Sequence, residues 1–463
     1  MNRQADPETP AAGPETMSDA ELDRLRTLVE ADLPDYLRDL ERLVNIDCGS
    51  YTKAGVDEVG RWTAGFLREQ LGANVEVEAN AELGDTVVGM LRGTGNGPTA
   101  LLIGHMDTVF DPGTAAQRPF RIEGNVAYGP GVTDMKGGLL GGLYALKALR
   151  DAAGSAPGSG SASWVPFGRL VFIANPDEEI GSPASSPVIR RHASQADVAL
   201  VLECARANGD IVSSRKGIVD LEVRLRGRAA HAGVEPEKGR SATLEAAHKT
   251  VELHGLNGRW PGVTVNVGVI RGGTRPNVVA EECILEVDLR AVTREGLEEA
   301  EAALRSVCAS STVPDVSCEV VEKARHWPME KLEASGRLVD HARAIAGQLG
   351  FELADAATGG ASDANTTSGM GVPTLDGLGP IGGNDHSPAE YLDVDSIVPR
   401  VTLLAGLLLA AARDPALADR HAGHVADEHD HEHEHDHEHD HDHYEEQQHD
   451  YSSEGPIEYL DEA

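Results

Sequence analysis

Apolar and polar positions follow two different rhythms along the chain. In the first part, short runs such as "TALLIG", "RLVFIAN" and "LVLECA" are aliphatic almost throughout, the pattern of sheet strands covered on both faces. Strands are predicted near residues 75–77, 87–91 and 100–103, at "RLVFIAN", and just before Glu203. The stretch "SDAELDRLRTLVEADLPDYLRDLERLVNI" has helical spacing, with Ser18 as its cap and a glutamate three residues on, a capping-box signature. Further helices are predicted over 55–71 and within 131–150. Beyond Glu203 the rhythm changes. "GIVDLEVRLRG" and "CILEVDLRAV" alternate apolar with polar residues, so their sheet has one wet face. Helical stretches near 241–253 and 294–307 accompany them, and "GVTVNVGVIRGG" offers an apolar edge for pairing. The chain then returns to a helix at "ASGRLVDHARAIAGQLG", a strand near 374–378 and a closing helix over 394–413.

This pattern predicts an α/β domain with a central mixed sheet, formed by residues 18–213 and 324–414. A smaller α+β domain, residues 214–323, interrupts it. A length of 463 residues agrees, being too great for one core. The polar residues 1–17 and the Gly/Ser-rich "DAAGSAPGSGSASW" read as disordered and flexible respectively, since neither has an apolar period.

Composition narrows the function. The formal net charge is −36, of which roughly −16 falls after Pro415, so the folded part is moderately acidic and lacks the basic footprint of a nucleic-acid binder. Cys48, Cys204, Cys283, Cys308 and Cys318 are odd in number and scattered, which reads as reduced thiols in the cytoplasm. No signal peptide and no membrane-spanning stretch is expected. The run "HVADEHDHEHEHDHEHDHDHYEEQQHD" holds most of the histidines; residues 415–463 are expected to be disordered. That tail reads either as a solvated acidic segment or as a loose reservoir for extra divalent metal.

Candidate chemistry gathers where the apolar runs end. "HMDTV" places His105 and Asp107 after one strand, "NPDEEIGS" places Glu178 and Glu179 after another, and "LVLECA" places Glu203 after a third. "GPGVTDMKGG" sets Asp134 in a Gly-rich turn before a helix, and "GNDHSPAEY" sets His386 in a loop before the last one. Singly, each has an ordinary reading as a hydrogen-bonding loop residue. Converging on one sheet edge, so many acids would repel unless cations balanced them. Histidine with carboxylates suits two divalent ions in a catalytic site with a position open to water, zinc above all, with cobalt or manganese as alternatives.

Together "HMDTV", "GPGVTDMKGG", "PDEEIGS", "GRAAHAG" and "HSPAEY" resemble the signatures of the M20 metallopeptidase family, nearest its glutamate carboxypeptidase branch. The resemblance implies that Asp134 bridges two metals, with His105 and Glu203 completing one site and Glu179 and His386 the other. It implies that Asp107 orients His105, that Glu178 is the general base, and that His231 reaches a partner subunit's site to stabilise the oxyanion. Asn277 and Arg290 match positions that hold a substrate carboxylate, Lys216 is a weaker candidate for the same cleft, and Gly360 with Asp363 shapes the pocket. One departure is Met135, where relatives commonly carry a second acid. The resemblance further implies that residues 18–213 and 324–414 form a metal-binding catalytic domain and residues 214–323 a lid or dimerisation domain. The implied reaction is hydrolysis of an amide next to a free carboxylate by a hydroxide bridging the metals, in a homodimer joined through that lid. Small peptides or N-acyl amino acids are the implied substrates, with C-terminal glutamate favoured. An N-acyl amino acid deacylase is the alternative within the family, and a metal-storage protein acting through its tail is the alternative outside it.

Overall fold

The two rhythms correspond to two kinds of sheet in a computed structural model that describes residues 17–95, 97–157 and 164–418. Among the described residues, a six-stranded mixed sheet runs in the order Asn74–Glu78, Thr86–Arg92, Arg169–Asn175, Thr99–His105, Val198–Val201, Thr374–Leu375. Its first two pairings are antiparallel and the other three parallel. The central strands are aliphatic throughout because both faces are covered. Leu102, Phe172 and Leu200 face the core shared with helices Asp19–Val44, Gly138–Ala152 and Ile397–Arg413. Leu101, Ile103, Val171 and Ile173 face a second core with Val188 and Ile189 of helix Ser186–Ala193.

Register brings the chemistry to one edge. In the parallel centre, His105 pairs with Asn175 and Ile103 with Val201. The residues that follow these strands therefore emerge together at the carboxyl ends, where open α/β sheets form clefts. Helix Gly138–Ala152 approaches that edge closely, and a Cβ on Gly138 would lie 1.8 Å from the Leu202 carbonyl oxygen. Only glycine permits this contact.

The second sheet is antiparallel, in the order Thr264–Gly272, Glu282–Ala291, Gly217–Arg226, Ser317–His326. Helices Ala242–His254 and Arg294–Cys308 cover one face around a separate apolar core. Its last strand is absent from the sequence reading and continues past the expected limit at Lys323. The strand lies at an edge and buries no residue fully, so it lacks the alternation of its neighbours.

Other details differ from expectation. Met17, assigned to the disordered N-terminus, is buried, and its carbonyl accepts a hydrogen bond from Gln348. The segment Val394–Arg413 does reach membrane-spanning length and apolarity, yet 72% of it is buried inside the protein. Its hydrophobicity serves the core. The short strands Arg121–Glu123, Val126–Tyr128, Gly382–Gly383 and Tyr391–Asp393, which sequence periodicity cannot detect, form a small sheet beside the Asp134 turn. The expected disorder of the N-terminal stretch before Met17, the middle of the Gly/Ser-rich insertion and most of the His-rich tail lie outside the described residues.

Candidate metal centre

His105 closes strand Thr99–His105 and is 1% exposed. Its Nδ1 lies 3.0 Å from the Asp107 carbonyl oxygen and 3.3 Å from Asp107 Oδ1, so that edge of the ring is held. The other nitrogen, Nε2, points at Asp134 Oδ1 at 3.1 Å and at Glu203 Oε1 at 3.7 Å. On the far side of Asp134, Oδ2 lies 3.1 Å from His386 Nε2, which is also 3.1 Å from Glu179 Oε2. One carboxylate thus faces two histidines with its two oxygens, each histidine accompanied by a further glutamate.

Asp107 organises the opposite wall. Its Oδ1 accepts the Glu178 backbone N–H at 3.1 Å, and its Oδ2 accepts the Glu179 N–H at 3.2 Å and the Ser50 hydroxyl at 2.6 Å. Both glutamate backbones are anchored on one group while their side chains diverge. Glu179 turns to His386, and Glu178 groups with His105 and Glu203, their ligand atoms within 4.8 Å of one another.

Charge balance shows what the cluster lacks. Burial drives the carboxyls of Glu178 and Glu203 well above the usual range, reinforced at Glu178 by the nearby Glu203 charge and at Glu203 by Asp134; burial likewise raises Glu179. Asp134 stays low because hydrogen bonds from His105 and His386 overcome the burial that would raise it. Burial would lower His105, but its hydrogen bonds to Asp107 and Asp134 raise it, and those to Asp134 and Glu179 push His386 up to about 11. The chain alone therefore balances these charges with protons. Dications could replace those protons, and one observation supports this fit. Glu179 Oε1 is buried without a hydrogen-bond partner among the described residues, although buried carboxylate oxygens are ordinarily satisfied. The available donors, imidazoles and carboxylates, are those that zinc and similar ions accept.

A pH dependence follows, because coordination needs the neutral imidazole. Zinc added to the metal-free chain is expected to displace protons, and its affinity to fall steadily from about pH 8 to pH 6. Calorimetry in two buffers of different ionisation enthalpy checks this; an affinity constant across that range would contradict it.

Comparison with known proteins adds identity to this geometry. A family model described as "Peptidase family M20/M25/M40" matches residues 101–410, which contain every residue of the cluster. The chain belongs to this peptidase family. As an M20 protein it is a hydrolytic enzyme of a metal-dependent family. It is 31% identical over 381 residues to carboxypeptidase G2 of Pseudomonas sp. (strain RS-16), covering 81% of this chain and 89% of the relative. Acetylornithine deacetylase of Proteus mirabilis is 28% identical over 278 residues, 56% of this chain and 67% of the relative. Among solved structures, the aminopeptidase PepT of Bacillus cereus matches with a TM-score of 0.65 at 22% identity, covering 82% of this chain and 98% of that one. This likeness shows that the fold is shared.

The lid candidates lie elsewhere in the single chain. His231 is exposed, and its Nδ1 accepts the Gly233 N–H at 3.1 Å; among the described residues it makes no hydrogen bond or ion pair to the cluster. Asn277 lies beside it, its carbonyl accepting the Ala232 N–H at 3.0 Å. Arg290 forks onto Asp288 at 2.9 Å and donates to the Gly359 carbonyl at 2.8 Å, tying a lid strand to the turn before helix Asp363–Gly369. Lys216 contributes its carbonyl to Asn365 at 3.0 Å, and the Gly360 carbonyl accepts from Arg215 at 3.1 Å. Asp363 is buried, accepting from Ser182 at 2.6 Å and from Asn175, and so braces the Glu178–Glu179 turn. Met135 does not face the cluster. Its sulfur lies 3.2 Å from the His105 backbone nitrogen in the core.

Sequence reading passed over Glu390 and Arg215. Glu390 is 1% exposed, and its carboxylate accepts the backbone N–H groups of Gly131 at 2.9 Å, Thr133 at 2.9 Å and Asp134 at 3.1 Å. It thereby fixes the turn that presents the central aspartate, with Gly131 at φ +73. Its only sequence signal is an acid four residues after His386. Arg215 is buried, with its Nε 2.7 Å from Asp376. In a Glu390→Gln variant, an amide N–H would face a backbone N–H. Zinc affinity is expected to fall about 10- to 100-fold, as when outer-shell partners are lost. Zinc titration with circular dichroism checks this, and unchanged affinity in a folded variant would contradict it.

Proposed function

We propose that the protein is a two-metal amidohydrolase of carboxypeptidase type, acting on an amide next to a free carboxylate in a small peptide or N-acyl amino acid. The observation that carries this reading is Asp134, with each carboxylate oxygen 3.1 Å from a different histidine. His105, Glu203 and Asp134 would hold one ion, and His386, Glu179 and Asp134 the other. When bound, two such ions polarise a carbonyl and lower the pKa of a water between them. Glu178, beside this pair, takes the proton of the attacking water and delivers it to the departing nitrogen. Its burial favours such a role, since a carboxyl whose pKa is raised above the usual range can return a proton as well as take one. Asp107 keeps the His105 tautomer and the Glu178 backbone in place. Arg290, which donates to the Gly359 carbonyl, and the adjoining Gly360 would receive the substrate carboxylate; Asn277 and Lys216 are further contributors.

Likeness to acetylornithine deacetylase supports a second reading, deacylation of N-acyl amino acids, which would use the same ligands. The test is a panel of dipeptides and N-acyl amino acids on zinc-reconstituted protein. Turnover is expected, with strong loss when the substrate carboxylate is amidated; peptides or acyl amino acids as better substrates separate the two readings. No metal-dependent turnover on any of them would overturn both.

A second copy completes the site in this reading. Among the described residues, strand Thr264–Gly272 is paired on one side only, and Ile270, Leu244 and Val251 are exposed nearby. Such an edge and apolar patch suit self-association. A His231→Ala chain is expected to lose about 10²–10³-fold in kcat, the loss typical of an oxyanion donor. Mixing it with Glu178→Gln chains should restore activity, because one of the two sites in each mixed dimer is then intact. Failure to restore activity in demonstrated mixed dimers would contradict the arrangement.

A further inference from the structure

The fold brings two of the five scattered cysteines together in the core of the antiparallel sheet. Cys308 is the last residue of helix Arg294–Cys308 and is buried, and Cys318 is the second residue of strand Ser317–His326 and is half-buried. Their thiols hydrogen-bond each other. Helix and strand are braced at two further points, where Arg325 reaches Glu301 at 2.5 Å and Arg305 donates to the Val320 carbonyl at 3.4 Å. The turn between the cysteines is also pinned. The Ser311 hydroxyl donates to the Val316 carbonyl at 2.6 Å, and the N–H groups of Thr312 and Val313 donate to buried Glu245 at 3.0 and 2.6 Å. The surroundings thus hold the two sulfurs together, and a disulfide, with its sulfurs about 2.0 Å apart, needs only a small further approach.

The two thiols are unequal in the way that oxidation requires. Strand Ser317–His326 lies at the sheet edge, paired only with Gly217–Arg226 among the described residues, so its other side leaves Cys318 open to a small reagent. The hydrogen bond from Cys308 holds the Cys318 thiol below its usual range against burial, and the Lys249 charge adds to this. Cys308 is held above that range by the same hydrogen bond and by burial. Lys249 is itself buried, its Nζ 2.7 Å from Glu252 and 3.5 Å from Glu245. Susceptibility to oxidation follows thiolate character and exposure, and redox-sensing thiols commonly sit beside a resolving cysteine. Cys318 meets both conditions, with Cys308 in the resolving position. Cys48 and Cys283 differ: both are buried, and burial pushes both thiols up.

We propose that Cys318 and Cys308 are a reversible oxidation site, at which a hydroperoxide converts the thiol pair to a disulfide. With hydrogen peroxide, the Cys318 thiolate attacks one peroxide oxygen. The O–O bond breaks, an S–O bond forms, and hydroxide leaves to take up a proton as water. The Cys308 sulfur then attacks the sulfenic acid sulfur of Cys318, the S–S bond forms, and the oxygen leaves as a second water with the Cys308 proton. Two electrons pass from the sulfurs to the peroxide. The test treats the zinc-loaded, full-length protein with hydrogen peroxide, then counts thiols in denaturant and maps peptides without reduction. The count is expected to fall from five to three, with a peptide joining Cys308 to Cys318 and a mass lower by about 2 Da, the two hydrogens lost in forming the bond. Dithiothreitol is expected to restore all five thiols. In a Cys308→Ser variant, which lacks the resolving thiol, dimedone is expected to label Cys318 as its sulfenic acid. Retention of all five thiols, a disulfide to another cysteine, or over-oxidation of Cys318 without linkage in the wild type overturns the site. A Cys308→Ser protein that folds by circular dichroism yet carries no label on Cys318 also overturns it. The amidohydrolase reading stands or falls separately, since no arm of this test measures turnover.

Discussion

A Glu178→Gln chain is expected to lose about 10²–10⁴-fold in kcat, the contribution of a positioned general acid–base, while it retains its zinc. The separation of these two effects follows from where the side chain sits. Glu178 lies with His105 and Glu203 rather than between His105, Asp134 and His386. Its backbone N–H, not its carboxylate, binds Asp107, so the amide substitution leaves that anchor intact. Glutamine matches the shape and removes the group that takes the proton. Metal content by elemental analysis, circular dichroism and steady-state kinetics together check the result. Loss of zinc in parallel with activity would make Glu178 a ligand, and near wild-type turnover would remove it from the chemistry.

Asp134→Asn is expected to have the broadest effect on metal binding. Loss of even outer-shell partners typically costs 10- to 100-fold in affinity, and Asp134 is the one residue placed against both histidines, at 3.1 Å each. An amide presents a single oxygen and an N–H₂ group, so it cannot offer an anionic oxygen to either side. Both ions should bind at least about a hundredfold more weakly, with kcat/KM at background under metal-limited conditions. Zinc titration followed by elemental analysis checks this. Loss of one ion alone would show that Asp134 serves a single site.

Much of this centre can be read from the chain because its parts occupy structurally marked positions. His105, Glu178 with Glu179, and Glu203 each follow a uniformly aliphatic run, and parallel register brings the ends of such runs to one edge. Asp134 follows a glycine turn that opens a helix. The short sheet around Val126–Tyr128 and Tyr391–Asp393 left no trace, since three-residue strands carry no period. Glu390 was missed for another reason. Its partners are backbone N–H groups of residues more than two hundred positions away, and backbone donors have no sequence signature. Arg215 next to Lys216 shows the same limit. Either could have been the buried cation, and only the fold places Asp376 against the first.

The central claim is that Asp134 lies between two ions. Crystals of the zinc-loaded protein, measured for anomalous scattering at the zinc edge, test it most directly. Two peaks are predicted, one on the His105–Glu203 flank and one on the His386–Glu179 flank, separated by about 3.5–4 Å with Asp134 in contact with both. A single peak, or peaks away from Asp134, would contradict it.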